Sequence, residues 1–433
     1  MRTGAIKAIA NLGYDNNGLL AENFNYAVGN STEPGSTLKL ASVAAMMEEQ
    51  RVDLHTPIDL NGGVYYFYNR KMPDSELHGV GMSDLEYAFI KSSNVGISRL
   101  AFNSFGTPEG QKKFASYYKK FGLTEPTQID LEGEPLPVVK HPVKDKDKWY
   151  GTTVPWMSVG YELQLTPLQV LTFYNGIANN GRVMKPYLVS SVMDNEVEIR
   201  KTAPVVLRDS ILSSNTLLQL NTLLRAVVEK GTASSIRSEQ YSISGKTGTA
   251  VTNYHLAGAE KKEFQASFCG FFPSEDPQYS CIVVIYNPEV GFYGGQAAAP
   301  VFRKIADRCM RPKLLASQVL NAVPKPVLAS DGLPVGNYGY QRDFEQVFKH
   351  IELPYFRQDQ ESWVRTIADK DGVHTLPQTV VRGLIPDLTG MGLRDALFLL
   401  DQVKIRVQIH GSGKVKWQSI APGAWTSDQR EVI

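Results

Sequence analysis

The sequence predicts an α+β protein in which helices cover an antiparallel sheet. Two apolar runs, Phe264–Phe272 and Tyr279–Tyr286, are separated by a short polar gap that contains prolines, and this pattern is typical of an antiparallel hairpin. Residues 214–229 carry a broad apolar face at helical spacing. The strand signals cluster in sequence, with helical segments before and after them. This order favours a sheet covered by helices over a regular alternation of strand and helix.

The individual elements follow from the same periodicities. An apolar segment with few polar residues predicts a strand or a buried helix according to its length, and polar capping residues or glycine mark the helix ends. The segment 85–103 consists of two apolar helical stretches around a central polar break. The other predicted elements are a strand at 5–10, a buried helix at 161–178, a helix at 214–229 that starts at Ser213 or Ser214 and stops at Gly231, a strand at 241–245 and a final helix at 298–310.

Length and composition exclude several classes of protein. A chain of 433 residues is long enough for two or three domains. With 45 basic and 44 acidic residues the net charge is +1, which argues against a nucleic-acid binder that depends on a general basic surplus. Three cysteines are too few for a disulfide framework or a thiolate metal site. The sequence also has no apolar run of the roughly 18 residues that a membrane-spanning helix needs.

A Ser-x-x-Lys pattern occurs twice, as Ser36-x-x-Lys39 and as Ser116-x-x-Lys119. Helical positions i and i+3 share a face, so the lysine amine can reach the hydroxyl, and a desolvated lysine near another cation has a lowered pKa that suits a base. Ser36 precedes a largely apolar helix, whose first N–H groups are unpaired and can bind an oxyanion. Ser116 lies in a lysine-rich segment typical of a solvated helix. The local sequence therefore favours the first copy.

A Ser-x-Asn pattern also occurs twice, at Ser92–Asn94 and Ser213–Asn215. Helix capping alone explains the second copy. The first copy interrupts two apolar helical stretches, and such a break turns polar side chains towards a shared cleft. We therefore predict that Ser92 and Asn94 lie in the functional site.

Lys-Thr-Gly occurs once, at Lys246–Gly248, between strand-like segments. Glycines in a strand allow another backbone or a substrate to approach closely. The alternative is a phosphate-binding loop, because Gly-Lys-Thr resembles the end of that motif. The motif also needs a glycine at position 240, which is Gln240 here, so the sequence argues against a nucleotide site.

Together, Ser36-x-x-Lys39, Ser92-x-Asn94 and Lys246-Thr-Gly248 resemble the three active-site motifs of the penicillin-binding proteins and serine β-lactamases. Further stretches make the chain similar to the class B transpeptidases of the cell-division type over residues 1 to about 312. The resemblance implies the transpeptidase fold of that superfamily, with an antiparallel sheet covered by helices and an all-helical subdomain. These stretches are residues 33–39, 160–170, 228–233, 245–250, 266–271 and 293–302.

The C-terminal residues resemble a second family. Residues 386–396, 411–415 and 418–423 are similar to a PASTA domain, a small α+β module found at the C-terminus of some class B penicillin-binding proteins. We predict a transpeptidase domain at 1–312, an unassigned linker or extension at 313–379, and a PASTA-like domain at 380–433. No internal repeat is visible in the sequence.

The resemblance implies a role for each motif residue. Ser36 would attack the carbonyl of the penultimate D-alanine of a peptidoglycan stem peptide, with Lys39 as the base. Ser92 would relay a proton to the leaving amine, and Asn94 would orient the substrate amide and Lys39.

The Lys-Thr-Gly motif would bind the substrate. Lys246 would keep the pKa of Lys39 low and would hold the substrate carboxylate together with Thr247, Gly248 and Thr249. The backbone N–H groups of Ser36 and Thr249 would form the oxyanion hole. The resemblance implies no metal and no organic cofactor, and it implies that β-lactams acylate Ser36.

The resemblance also implies partners and a location. The partners are peptidoglycan stem peptides and β-lactams, together with a glycosyltransferase and other division proteins for the full-length protein, but no nucleic acid. Family members carry an N-terminal membrane anchor and a non-catalytic domain before the transpeptidase domain. We therefore expect this protein at the extracytoplasmic, periplasmic face of the cytoplasmic membrane.

Two alternatives use the same residues differently. The chain could be a β-lactam sensor or a hydrolase, such as a β-lactamase or a D,D-carboxypeptidase, although a β-lactamase needs a means of activating water. It could also be an inactive wall-binding or divisome scaffold module. The PASTA-like tail favours wall synthesis over the first alternative, and the intact serine and lysines argue against the second.

Overall fold

The computed structural model describes residues 1–15, 17–76, 80–194, 197–252, 262–317, 338–357, 362–369, 371–425 and 431–432, with backbone only at 312–317 and 431–432. The chain separates into two compact units, Met1–Gln318 and Val319–Ile433. Within the residues described, no helix combines the length and the apolarity that a bilayer span requires.

The first unit contains nine described helices and fifteen described strands. The helices are α1 (Tyr26–Gly29), α2 (Lys39–Glu48), α3 (Leu85–Ile90), α4 (Asn94–Phe105), α5 (Pro108–Lys120), α6 (Thr153–Ser158), α7 (Pro167–Ala178), α8 (Ser214–Lys230) and α9 (Gly294–Ser317). The strands are β1 (Gly13–Tyr14), β2 (Leu20–Ala21), β3 (Pro57–Asp59), β4 (Val64–Phe67), β5 (Arg70–Pro73), β6 (Met82–Asp84), β7 (Val138–Val139), β8 (Leu163–Gln164), β9 (Val183–Met184), β10 (Ser191–Asp194), β11 (Val197–Lys201), β12 (Val206–Arg208), β13 (Ser244–Val251), β14 (Phe264–Phe272) and β15 (Tyr279–Tyr286).

The main sheet of this unit is the antiparallel array β13-β14-β15. The predicted hairpin is confirmed at both of its strands. The preceding strand runs from Ser244 to Val251, so the prediction of a strand at 241–245 is wrong in its bounds, and Lys246 lies within the strand. Strand β14 is buried almost throughout because α7 and α9 both pack against it. For example, the ring centroid of Phe268 lies 4.7 Å from that of Phe302 on α9.

Helix α2 forms the centre of the helical part of the unit. Every residue from Lys39 to Met47 is buried, because α4, α5, α6 and α8 all pack around this helix. Its composition of small and aliphatic residues allows this close packing from all sides. The predicted arrangement of a sheet covered by helices beside an all-helical part is confirmed.

Other predicted elements hold in part. The broken helical segment is confirmed as α3 and α4, and the helix after Ser213 is confirmed as α8, with the Ser213 hydroxyl as its N-cap. The predicted strand at 5–10 is wrong, because only Ala5 forms a bridge, to Tyr187. The predicted helix at 161–178 starts at Pro167 instead, where Thr166 and Gln169 form a capping box. The final helix starts earlier than predicted, at Gly294.

The second unit consists of two small helix-and-strand modules. Its elements are β16 (Tyr338–Tyr340), α10 (Gln341–His350), β17 (Tyr355–Arg357), β18 (Trp363–Ala368), β19 (Val373–Pro377), α11 (Leu393–Gln402), β20 (Arg406–Val407) and β21 (Glu431–Val432). The first four strands form a sheet of order β16-β18-β19-β17, in which only the β17–β19 pair is parallel. The division of the chain into segments 1–312, 313–379 and 380–433 stays a prediction. The four-stranded sheet lies in segment 313–379, to which the sequence assigned no domain.

The two modules share a local framework that the sequence does not reveal. Helices α10 and α11 both have ten residues, and two residues after the last residue of each helix lies a residue with positive φ, Glu352 or Lys404. The next residue, Leu353 or Ile405, is buried, and its N–H donates to a carbonyl of the last helical turn. The two helices therefore end in the same way.

Candidate active site

Ser36 lies in the 3₁₀ turn Gly35–Leu38, which continues directly into α2. In a 3₁₀ turn the side chains at i and i+3 eclipse, so Ser36 and Lys39 project on the same side. The backbone N–H of Lys39 donates to the carbonyl of Ser36. The local sequence thus places a half-buried serine one turn before a buried lysine.

Two glycines hold this turn against the sheet. Gly35 has φ +57, and its N–H donates to the carbonyl of Gly160 at 3.1 Å. A Cβ on Gly160, which has φ +90, would overlap the Gly35 carbonyl oxygen. A Cβ on Gly35 would lie 3.1 Å from both the Thr249 carbonyl oxygen and the Ala250 Cβ. Only glycine permits this close approach, which brings Ser36 beside β13.

The Lys39 amine is fully buried and points towards the Ser92 loop. Its Nζ donates to the carbonyl of Ser92 at 2.6 Å and to the Ser92 hydroxyl at 3.2 Å. Burial lowers the pKa of Lys39 from 10.5 to about 7, and the negative charge of Asp74 opposes part of this effect. A lysine with such a pKa is neutral often enough at pH 7 to accept a proton.

The Ser92–Asn94 loop joins α3 to α4. Ser92 has a positive φ of 59, unusual for a residue with a side chain, and this conformation accompanies both hydrogen bonds to Lys39. The Ser93 hydroxyl is the N-cap of α4. The Asn94 side chain donates to the carbonyl of Pro73 at 2.8 Å.

Lys246 approaches from the sheet. Its side chain is fully buried, its Nζ donates to the Thr247 carbonyl at 3.2 Å, and it lies 5.7 Å from the centroid of the Phe89 ring. Burial first, and then the charge of Lys39, hold the pKa of Lys246 well below 10.5. The resemblance gave Lys246 the task of lowering the pKa of Lys39. In the structure the largest cause of that lowering is the burial of Lys39 itself.

The rest of the motif lies along the same strand. The Thr247 and Thr232 hydroxyl oxygens are 2.7 Å apart, and the Thr249 hydroxyl accepts a hydrogen bond from the Gly294 N–H at 3.1 Å. A Cβ on Gly248 would overlap the Ser267 hydroxyl and would lie 2.9 Å from the Thr37 side chain. The glycine thus lets β13 contact both β14 and the turn that carries Ser36.

A cleft of about 350 Å³ opens above these groups. Four of the predicted site residues line it: Ser36, Ser92, Thr247 and Thr249. Lys39 and Lys246 are buried, and neither they nor Asn94 and Gly248 are among the residues that line the cleft. The remaining lining residues are Ser75, Glu76, Lys91, Gly231, Thr232, Ser234, Ser235, Tyr293, Gly294, Gly295 and Gln296.

Sequence reasoning assigned no role to three residues that shape the site. Thr232 contacts Thr247, and the Tyr293 hydroxyl donates to the Ser75 carbonyl at 3.3 Å. Both lie in stretches that carry the family resemblance, so a signal was present. Asp74 accepts hydrogen bonds from the Ser93 hydroxyl and the Val95 N–H, and no sequence pattern marked it.

The structure also places the two rejected motif copies. Ser116 is exposed on α5, and its hydroxyl donates to the Lys113 carbonyl at 2.7 Å. Ser213 caps α8. Both roles are the structural ones that the local sequence predicts.

The arrangement is suited to acyl transfer. A serine at the start of a helix, a buried lysine of lowered pKa, a second hydroxyl bonded to that lysine, and threonines on an adjacent strand are the parts needed to attack a carbonyl and to hold a carboxylate. The fold and the site therefore have the features of the active-site serine proteins in which a buried lysine lies one turn after the serine.

The chain belongs to the penicillin binding protein transpeptidase domain family, whose family model matches residues 1–307. The PASTA domain model matches residues 384–433. Both resemblances seen in the sequence are confirmed.

Individual relatives agree with this assignment. The chain is 28% identical to stage V sporulation protein D of Bacillus subtilis over 294 residues, which are 65% of this chain and 43% of that protein. It is 29% identical to the peptidoglycan D,D-transpeptidase FtsI of Buchnera aphidicola subsp. Schizaphis graminum over 311 residues, 70% of this chain and 50% of that protein. The chain thus spans about half the length of these relatives, or less.

A solved structure shows the same fold. Penicillin binding protein 3 from Mycobacterium tuberculosis, in complex with aztreonam, superposes with a TM-score of 0.59 at 27% identity. The match covers 69% of this chain and 66% of that chain.

Proposed function

We propose that this chain is the catalytic part of a peptidoglycan D,D-transpeptidase of the cell-division type. The observation that carries the proposal is the contact of the buried Lys39 amine with both the carbonyl and the hydroxyl of Ser92, one turn after Ser36 and beside the cleft. The name of the Buchnera relative, a peptidoglycan D,D-transpeptidase, supports the class of reaction and its place in wall synthesis.

Acylation is the first half of the reaction. The Ser36 hydroxyl attacks the carbonyl carbon of the penultimate D-alanine, and Lys39 accepts the hydroxyl proton. The N–H groups of Ser36 and Thr249 stabilise the tetrahedral oxyanion, and the close approach of Gly35 to the Thr249 carbonyl supports this assignment. When the C–N bond breaks, the proton passes through Ser92 to the leaving D-alanine amine, which leaves an ester on Ser36.

Transpeptidation is the second half. The amine of a neighbouring stem peptide attacks the Ser36 ester, and its proton returns along the same path. The new amide bond is the crosslink, and Ser36 recovers its proton.

The strand side of the cleft recognises the substrate. Thr247 and Thr249 line it and offer hydroxyl donors to the terminal carboxylate of the donor peptide, while Gly248 allows the backbone to approach. Lys246 adds positive charge when protonated. Asn94, whose amide contacts Pro73, orients the substrate amide once the substrate enters.

Partners and location follow from the substrate. Stem peptides ending in D-alanyl-D-alanine lie outside the cytoplasmic membrane, so the proposal places the protein on its extracytoplasmic face. A glycosyltransferase and other division proteins would supply and use the same glycan strands. β-Lactams would acylate Ser36, as mimics of the D-alanyl-D-alanine end, and would inhibit the protein.

Labelling with a fluorescent penicillin tests the proposal. Wild type should form a one-to-one adduct that persists for minutes or longer, and Ser36→Ala should abolish it. The matched control, Ser116→Ala, removes a serine from the other Ser-x-x-Lys sequence and should label like wild type. Labelling that survives Ser36→Ala would refute the assignment of the nucleophile. An adduct that turns over within seconds would indicate a β-lactamase, and release of D-alanine without crosslinked product would indicate a carboxypeptidase.

A further inference from the structure

The strongest unassigned feature of the site is Asp74, the residue that follows β5. The residue as a whole is 8% exposed. It accepts hydrogen bonds from the Ser93 hydroxyl at 2.9 and 3.1 Å, one to each carboxylate oxygen, and from the Val95 N–H at 2.8 Å. Its own N–H donates to the Gly63 carbonyl at 2.8 Å. A buried carboxylate with this many partners is fixed in place.

Asp74 and the residue before it hold the Ser92–Asn94 loop from one side. The Pro73 carbonyl accepts from Asn94, and the Asp74 carboxylate accepts from Ser93 and from the first turn of α4. From the other side, the N–H groups of Ser92 and Ser93 donate to the carbonyls at the end of α3. The loop is thereby clamped in the conformation that turns Ser92 towards Lys39.

Asp74 also acts on Lys39 through its charge. The charge of Asp74 favours the protonated form of Lys39. The two buried amines, Lys39 and Lys246, repel each other when both are protonated. Lys91 and Glu76 line the open cleft. Several charged residues on the helices packed against α2 form ion pairs away from the two buried amines. These pairs are Lys113–Glu49, Lys120–Glu48, Arg99–Asp59, Arg225–Glu229, Arg225–Glu275 and Lys230–Glu86.

We propose that Asp74 is a positioning residue that clamps the Ser92–Asn94 loop and places a negative charge beside the loop that binds the Lys39 amine. This inference rests on the proposed function, because it assumes that Lys39 is the base. It goes further because Asp74, which lies outside the three motifs, would set the pH range in which Lys39 acts as the base.

Asp74→Asn separates the two roles. Asparagine retains an oxygen that can accept from Ser93 and Val95, so the clamp remains, but the charge is lost. An opposite charge nearby shifts a pKa by about one to three units. The acidic limb of the acylation rate should therefore move to lower pH by about one unit or more. Asp84→Asn is the matched control, because Asp84 likewise accepts from a helix N-terminus, at Tyr87, and should leave the limb unmoved.

The Lys39 titration is a readout that does not depend on labelling, and the acylation rates of the variants are the second readout. The pKa of Lys39 is measured from the ¹³Cε chemical shift of labelled lysine, assigned by its loss in Lys39→Ala, and should fall in Asp74→Asn. Asp74→Ala should slow penicillin acylation at least tenfold, and Asp74→Asn should restore most of the rate at pH 7 and above. An unchanged titration of Lys39 in Asp74→Asn would overturn the electrostatic role. Wild-type acylation by Asp74→Ala would overturn the clamp. If wild type itself took no label, the proposed function would fail, while the Lys39 titration would still decide the charge effect.

Discussion

Replacing Lys39 with methionine should remove the base of the reaction and stabilise the fold at the same time. Methionine has a similar length and is apolar, so it suits a position where every neighbouring residue of α2 is buried. The variant should acylate roughly 100- to 10,000-fold more slowly, because general-base help is worth about that much. Its gain in stability should depend on pH.

The magnitude follows from the pKa of Lys39, which falls from 10.5 in the unfolded chain to about 7 in the native protein. Between pH 7 and 10.5 the unfolded state therefore binds more protons than the native state. The burial of Lys39 lowers the free energy of unfolding more and more as the pH falls through that range. At about 1.4 kcal/mol per pKa unit, burying Lys39 costs roughly 5 kcal/mol at pH 6 and roughly 2 kcal/mol at pH 9. The loss of two hydrogen bonds to Ser92, about 1 kcal/mol each, is independent of pH.

Urea unfolding of wild type and variant at pH 6 and pH 9 measures this effect. Lys39→Met should be more stable by about 3 kcal/mol at pH 6 and close to neutral at pH 9. The second unit is the same in both proteins, so the difference reports on the unit that carries the substitution. Lys112→Met, at an exposed position on α5, is the control and should change little at either pH.

A difference in unfolding free energy that is the same at pH 6 and pH 9 would refute the reasoning, whatever its size. It would mean that Lys39 keeps an ordinary pKa in the folded protein, and then lysine could not be the base at neutral pH. The relief of repulsion on Lys246 acts in the same direction as the main effect, because it also removes a penalty that grows as pH falls.

Two further substitutions test the packing and the hydrogen bonds of the site. Gly160→Ala should destabilise the protein by about 3 kcal/mol or more and abolish penicillin labelling. The added Cβ causes backbone strain of about 1–2 kcal/mol and also overlaps Gly35. Thermal unfolding and penicillin labelling measure the two effects. Gly133→Ala has a similar φ but no atom within 4 Å, so it should cost only the strain, and equal losses in the two variants would contradict the steric argument. Thr232→Val should slow penicillin acylation about fivefold, because it removes a hydrogen bond of about 1 kcal/mol to Thr247. Thr222→Val on α8 is the control and should leave the acylation rate unchanged. Equal rates for both variants would exclude Thr232 from orienting Thr247.

The elements predicted well are those whose signal is local. The hairpin of β14 and β15 is marked by two long apolar runs and a proline-bearing gap, and α8 by a cap, a periodic face and a terminal glycine. The preference for Ser36 over Ser116 also rests on local sequence, namely the polarity of the neighbouring residues, and it stays a prediction. Such features need no knowledge of distant contacts.

The elements predicted poorly depend on a partner far away in sequence. Residues 5–10 have the composition of a strand, but only Ala5 finds a partner, at Tyr187. The strand that carries Lys246 was predicted too early because its glycines and polar residues weaken the strand signal, and its pairing with β14 supplies what the composition lacks.

Within the site, the three motifs contain the groups that we propose to react, and tertiary packing determines the environment of those groups. Lys39 is lowered in pKa by burial within α2, and Lys246 by burial in β13, so neither effect is a property of motif spacing. Helix α8 packs against both α2 and β13, the two elements that carry the buried amines. The protein tolerates the energetic cost of two buried lysines because α2 is packed in the core on every side. The environment of Ser36 thus depends on how the helical part of the unit packs on the sheet, which the spacing of the motifs does not specify.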